Sequence, residues 1–262
     1  MRKVFTILSA TMFAGAAFAE SPAPDGPVLS GEVELKFTQN ATTDDWGGVM
    51  GLDMDINAAG LASVDLDLSA SDGNAVTLDS WTVGTTVNSI GIAIGDDNGV
   101  MPDAEGNHTL AAPVMSESLK VTAGSAEVAV GLTDWNTDIT DISNIQGAYS
   151  LDMGAFALTA AGDYNFNTEN TVLGAGVSDL ALGDASLGGA VSYDMDAENL
   201  AYEGTLGLAG LTGYMNGDQD DALQNVGGEY TYMIGGAELE GGINYNLDSE
   251  EFTPQVTVGF SF

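Results

Sequence analysis

Carboxylates recur at every second position in two neighbouring stretches. In GLDMDIN, Asp53 and Asp55 alternate with Leu52, Met54 and Ile56; in SVDLDLSA, Asp65 and Asp67 alternate with Val64, Leu66 and Leu68. Residues two apart share a face of a strand, so each stretch presents a row of like charges that attracts cations and repels anions. The chain offers little other chemistry, with 39 Asp and Glu against 4 Lys and Arg, one histidine and no cysteine. His108 stands in GNHTL with Ser116 and Ser118 nearby in sequence, but no nucleophile motif surrounds them and an enzyme is not expected. A formal net charge of −35 excludes nucleic acid as a partner, because binding phosphates takes clustered Lys and Arg.

Calcium is a second reading of the acids. DDNG at 96–99, SDGN at 71–74 and GDQDD at 217–221 offer hard oxygen ligands on turns, without the twelve-residue spacing of an EF-hand. Asp96 and Asp97 are the candidate calcium ligands, and diffuse condensation of cations is the plainer reading. No other cofactor is implied.

The first nineteen residues carry Arg2 and Lys3, an apolar run and then Ala17-Phe18-Ala19, the small-x-small pattern of a signal peptide cleaved before Glu20. The run is too short and too polar for a transmembrane helix. Residues 1–19 are therefore expected to direct export and residues 20–262 to form the mature protein. Cleavage leaves Lys36 and Lys120 as the only Lys or Arg.

Although acidic, the chain is 44% hydrophobic, so it does not have the low hydrophobicity of a disordered polyanion. Its hydrophobic period is two nearly throughout: VELKF, SIGIAIG, SLKVTAG, SAEVAVGL, ELEGGINYNL and QVTVGFSF all alternate, as antiparallel strands with one apolar face do. About 16 such runs are joined alternately by tight turns and longer loops, an up-and-down meander. Among the loops are 40–46 and 134–143, which place Trp46 and Trp135 outside the strands, and SWTVGTTV around Trp81 changes phase as a bulge does.

Alternation fits a soluble barrel with an apolar core and equally a membrane barrel with its apolar face toward lipid. Three features favour the membrane: so many strands in one sheet call for closure, an export signal precedes them, and the chain ends on TVGFSF. There Thr257, Gly259, Phe260 and Phe262 match the polar-x-Gly-aromatic-x-aromatic signal by which outer-membrane barrels are recognised by their assembly machinery.

With that ending, and with VTLDSWTVGTTVNSIGIAIGDDNGV leading into a long loop at 96–115, the sequence resembles the Gram-negative general porin family, closest to its alphaproteobacterial branch. The resemblance implies a 16-stranded transmembrane antiparallel β-barrel in the outer membrane, embedded among lipid and lipopolysaccharide and assembled as a homotrimer. It also implies that the long third loop folds inward and narrows the pore. The chain is short for this architecture, which leaves roughly 12 or 14 strands open.

Family porins set an arginine cluster on the wall against acids on the third loop. After cleavage this chain has no Arg, so Lys36 and Lys120, whose parity sends them to the polar face, are the only basic candidates. Asp53, Asp55, Asp65 and Asp67 are then expected on the pore wall, and Asp96, Asp97, Asp103, Glu105 and His108 on the constriction loop. The expected function is passive diffusion of small cationic or neutral solutes through a cation-selective pore whose selectivity weakens as pH falls. The alternative is a non-conducting barrel that serves as an envelope scaffold, surface receptor or adhesin.

Overall fold

The computed structural model describes residues 28–39, 46–57, 62–71, 76–96, 99–102, 115, 117–134, 138–220 and 223–261. Residues 1–19, Trp135 and Phe262 lie outside them. Alternating apolar and polar residues form sixteen strands among the described residues: β1 (Val28–Gln39), β2 (Trp46–Asn57), β3 (Ser63–Ser71), β4 (Thr77–Val87), β5 (Ile90–Gly95), β6 (Ser118–Ala123), β7 (Ala126–Asp134) and β8 (Asp138–Asp152), then β9 (Ala157–Asn165), β10 (Asn170–Leu182), β11 (Ala185–Asp194), β12 (Asn199–Leu208), β13 (Leu211–Asp218), β14 (Asn225–Ile234), β15 (Ala237–Asn246) and β16 (Glu251–Ser261). Each pairs antiparallel with its neighbours in sequence, and β1 pairs with β16 to close the barrel. Strand numbers of 12 and 14 are thereby excluded.

The two ends of the barrel are built differently. At one end Asn88-Ser89 and Ala209-Gly210 form two-residue turns with φ of 51° and 66° and of 51° and 84°, the left-handed pair that matches the strand twist of a tight hairpin. At the other end, three loops repeat one design: DYNFNTEN (163–170), SYDMDAEN (192–199) and NYNLDSEE (244–251). In each, an Asn or Asp that ends a strand accepts backbone N–H groups two or three residues on: Asn165 from Asn167 and Thr168, Asp194 from Asp196 and Ala197, Asn246 from Ser249. Glu169, Glu198 and Glu250 then take φ of 55°, 51° and 56° to re-enter the sheet. The side-chain acceptor makes the turn locally, without support from elsewhere in the fold.

One parity holds around the whole ring. Leu29, Val33 and Leu35 on β1 face Ile56, Leu52 and Met50 on β2; the same apolar face runs through Leu66 and Trp81, Ile92 and Val121, Leu173 and Tyr193, and Leu239 and Val258. This face looks outward and remains largely open, with Leu173 50% exposed and Ile243 47%, although Leu35 is buried at 2%. Fully burying such side chains stabilises by about 1.5–3 kcal/mol each, and a contiguous apolar exterior of this extent is suited to lipid. Among the described residues the buried apolar side chains are few, namely Leu35, Val100, Met115, Ala129, Ala148, Val172 and Ala190. A soluble barrel packed around an apolar core is not what the chain forms. Aromatic rings edge the outer face at both ends, with Tyr164, Phe166, Tyr245 and Phe252 at the loop end and Tyr149, Tyr230 and Tyr232 at the turn end, as in the aromatic girdles of membrane barrels.

Parity survives register shifts in three strand pairs, β3–β4, β7–β8 and β10–β11. Between β3 and β4, Asp67 faces Ser80 while Leu68 faces Leu78, leaving Asp79 as the extra residue. This accounts for the phase change beside Trp81, which faces outward opposite Leu66. Between β7 and β8 the extra residue is Ser143. That break in alternation made 134–143 look like a loop, whereas β8 starts at Asp138; likewise Trp46 opens β2 rather than lying in a loop.

Opposite parities give neighbouring residues opposite tolerances. Ile243→Lys puts a charge on the lipid face and should lower unfolding free energy in lipid by about 2–4 kcal/mol, while Asn244→Lys, pointing inward, should cost far less. Urea titrations of both variants in vesicles check this.

Candidate functional site

The inner face collects the charges. Glu32 on β1 lies opposite Asp53 on β2, and Asp53 and Asp55 lie opposite Asp67 and Asp65 on β3. Like charges placed directly across a strand pair destabilise a sheet, yet here they recur in register. The carboxylate oxygens of Asp53, Asp55 and Asp65 lie within 4.8 Å of one another, and all three residues are exposed. Across the seam the wall continues. Gly259 sits between Glu34 and Glu238, and Thr257 between Lys36 and Glu240; Glu229 on β14 extends it further. A Cβ at Gly259 would collide with the Glu32 carboxylate, so this glycine leaves room for an inner-wall acid. Phe260, next to it, faces outward between Val33 and Ala237.

The two lysines do not form a cluster. Lys36 lies within the acidic wall, in electrostatic reach of Glu240, and Lys120 stands on β6 between Ala93 and Ala129. Both point inward, as parity requires. The wall around Lys36 is acidic rather than basic.

The described residues between β5 and β6 lie against the inner wall of the barrel. The base of this segment is clamped: Asp96 Oδ1 accepts the Glu117 N–H at 3.2 Å, and the Ser118 hydroxyl donates to the Gly95 carbonyl at 3.2 Å. Val100 and Met115 then pack on Ala129 of β7 and Ala148 of β8, with Ala161 of β9 alongside. The Val100 N–H donates to Gln146 Oε1 at 2.9 Å. Beyond it, a Cβ added to Gly174 would approach Met101 Cε at 2.8 Å, and one added to Gly176 would meet Pro102 Cβ at 2.7 Å. The seat is made of alanine and glycine because the loop backbone needs the depth that larger side chains would fill.

This seat on β7–β10 and the acidic wall centred on β1 lie on opposite sides of the ring, β1 and β9 being eight strands apart in either direction. Of the residues expected on the loop, Asp96 is at its base, while Asp97, Asp103, Glu105 and His108 lie outside the described residues. Gln146, Gly174, Gly176, Glu32, Glu34, Glu238 and Glu240 were not singled out from the sequence. Parity alone marks their inward direction; nothing local marks Gln146 as the partner of a residue 46 positions away.

Among solved structures, the chain is similar to a mutant of the Rh. blastica porin, at 13% identity and a TM-score of 0.62, over 90% of this chain and 100% of that one. It is also similar to an anion-selective porin from Comamonas acidovorans, at 13% identity and a TM-score of 0.58, covering 90% of this chain and 99% of the other. OmpT, an outer membrane protein of Vibrio cholerae, matches at 12% identity and a TM-score of 0.54, over 90% and 97% of the two chains. The fold is that of a Gram-negative general porin. No protein-family model matches the sequence, and no curated protein matches it. At these identities the porin likeness is one of fold. The charges on the wall are this chain's own.

The porin loop depends on the depth of its seat. Gly176→Val should destabilise the folded barrel by about 1–3 kcal/mol through overpacking against Pro102 and raise protease cleavage within 96–117. Gly241→Ala, with nothing within 4 Å of the added Cβ, should change neither. Denaturant midpoints and digestion patterns report both effects.

Proposed function

We propose that the chain is an outer-membrane porin: a water-filled, cation-selective channel for passive diffusion of small cationic or neutral hydrophilic solutes. The observation that carries this reading is the exposed row of carboxylates on the inner wall facing the loop seat across the lumen. The acids are closer together than the Debye length of about 8 Å at physiological salt, so their fields add rather than being screened apart. Potassium is concentrated in such a passage and chloride excluded. A neighbour of the same fold is described as anion-selective, so selectivity follows from wall charge and not from the barrel. Glu32, Glu34, Glu238 and Glu240 join Asp53, Asp55, Asp65 and Asp67 as selectivity residues, and Lys36 offsets part of their field.

The same reading takes residues 1–19 as the export signal and residues 20–262 as the mature barrel. Thr257, Gly259, Phe260 and Phe262 serve as its assembly signal, and the barrels associate as homotrimers among outer-membrane lipid and lipopolysaccharide. Asp97, Asp103, Glu105 and His108 belong to the loop that narrows the passage. Asp96 holds the base of that loop, and calcium at Asp96 and Asp97 is a secondary property of it.

Reversal potentials under a KCl gradient test the function. The wild type should prefer potassium, with the preference falling at high salt and at pH low enough to protonate the wall. Neutralising Asp53, Asp55, Asp65 and Asp67 together to Asn should lower the potassium-to-chloride ratio several-fold, and Lys36→Gln should raise it. Stepwise conductance that favours chloride would overturn cation selectivity; a folded barrel with no steps would overturn the channel itself.

A further inference from the structure

We propose that Asp163 is the positioning residue of the inner loop, acting through the Gln146 side chain on the backbone of Val100. The inference rests on the channel reading only in that the loop sets the width of the passage. Asp163 on β9 lies directly opposite Gln146 on β8, and both are almost fully buried, at 2% and 1% exposure. The Asn144 amide donates to Asp163 Oδ1 at 2.8 Å, and the Gln146 side chain also hydrogen-bonds to the Asp163 carboxylate.

A side-chain amide has one donating and one accepting end, whereas an ionised carboxylate only accepts. Asp163 therefore takes the NH2 end of Gln146 and leaves Oε1 for the Val100 N–H, 2.9 Å away. An Asn at 163 would present both a donor and an acceptor and would no longer dictate which way Gln146 points. Burying a carboxylate on amide donors is costly, and Asp163 Oδ2 has no donor among the described residues. A residue kept only for packing would be cheaper without the charge; an obligate acceptor explains it. The bond to Val100 falls where the loop meets the far wall, one residue before Met101 and Pro102 cover Gly174 and Gly176. Met115 of the other leg packs in the same cluster as Val100.

Amide hydrogen exchange of the full chain folded in detergent, followed in peptides spanning 96–102, tests the relay. Asp163→Asn and Gln146→Leu should each raise exchange there roughly tenfold, as expected for losing a buried hydrogen bond tied to a charged group. Peptides from β12 and β13 should keep wild-type protection. Gln146→Glu keeps the acceptor for Val100 but removes the donor to Asp163, and should loosen the loop in the same way if Asp163→Asn fails to fold. Asn225→Ala, which removes inner-wall bonds to Asn216 and Asn246 on β13–β15, away from the loop seat, should leave exchange unchanged. Wild-type exchange in Asp163→Asn or in Gln146→Glu would overturn the role of Asp163, and wild-type exchange in Gln146→Leu would overturn the anchor altogether. Exchange reads the loop whether or not the barrel conducts. A protected Val100 in a barrel silent in bilayers would sink the channel reading and leave the anchor standing.

Discussion

Every backbone N–H and C=O inside a bilayer needs a partner within the protein, and a sheet meets this only by closing on itself. The seam between β1 and β16, which pairs Glu32–Thr38 with Gln255–Ser261, is therefore the contact on which the remaining structure depends. It explains why apolar alternation runs to the end of the chain, where a soluble protein would normally fray. Closure also sets one rule for all strands. A single slip of register would carry charge into lipid and leucine into the lumen, so the bulges at Asp79 and Ser143 have to restore the phase they interrupt.

Within that ring the two halves of the lumen do opposite jobs. The wall centred on β1 sets carboxylates in register, Asp53 opposite Asp67 and Asp55 opposite Asp65, at a cost in mutual repulsion that high-dielectric lumen water moderates. The wall formed by β7–β10 gives up side-chain volume instead, and its alanines and glycines receive the loop. The charged wall and the loop seat are thus assigned to different strands. Each can change without disturbing the other, as a fold that persists at 12–13% identity allows.

The sequence made the barrel legible because period-two alternation is a local property. Leu35-Lys36-Phe37 and Leu119-Lys120-Val121 were enough to send both lysines inward, and Asn88-Ser89 was enough to mark a tight turn. Alternation failed where the phase broke: Ser143 hid the first half of β8, and Trp46 looked like a loop residue. The acidic wall was half legible. Asp53, Asp55, Asp65 and Asp67 stand in uninterrupted runs, and Glu32 and Glu34 join them through the pairing of β1 with β2, whereas Glu238 and Glu240 join them only because β15 and β1 meet across β16. The loop seat was not legible. Gly174 and Gly176 look like any strand glycines until Met101 and Pro102 lie over them.

The central claim is that successive residues of each strand face water and lipid in turn. The chain has no cysteine, so single cysteines introduced at Leu52, Asp53, Met54 and Asp55 provide a clean readout in vesicles with a charged, membrane-impermeant maleimide. The account predicts labelling at positions 53 and 55 and none at 52 and 54. Labelling at 52 and 54 with silence at 53 and 55 would contradict it, because the polar face would then not line an aqueous lumen.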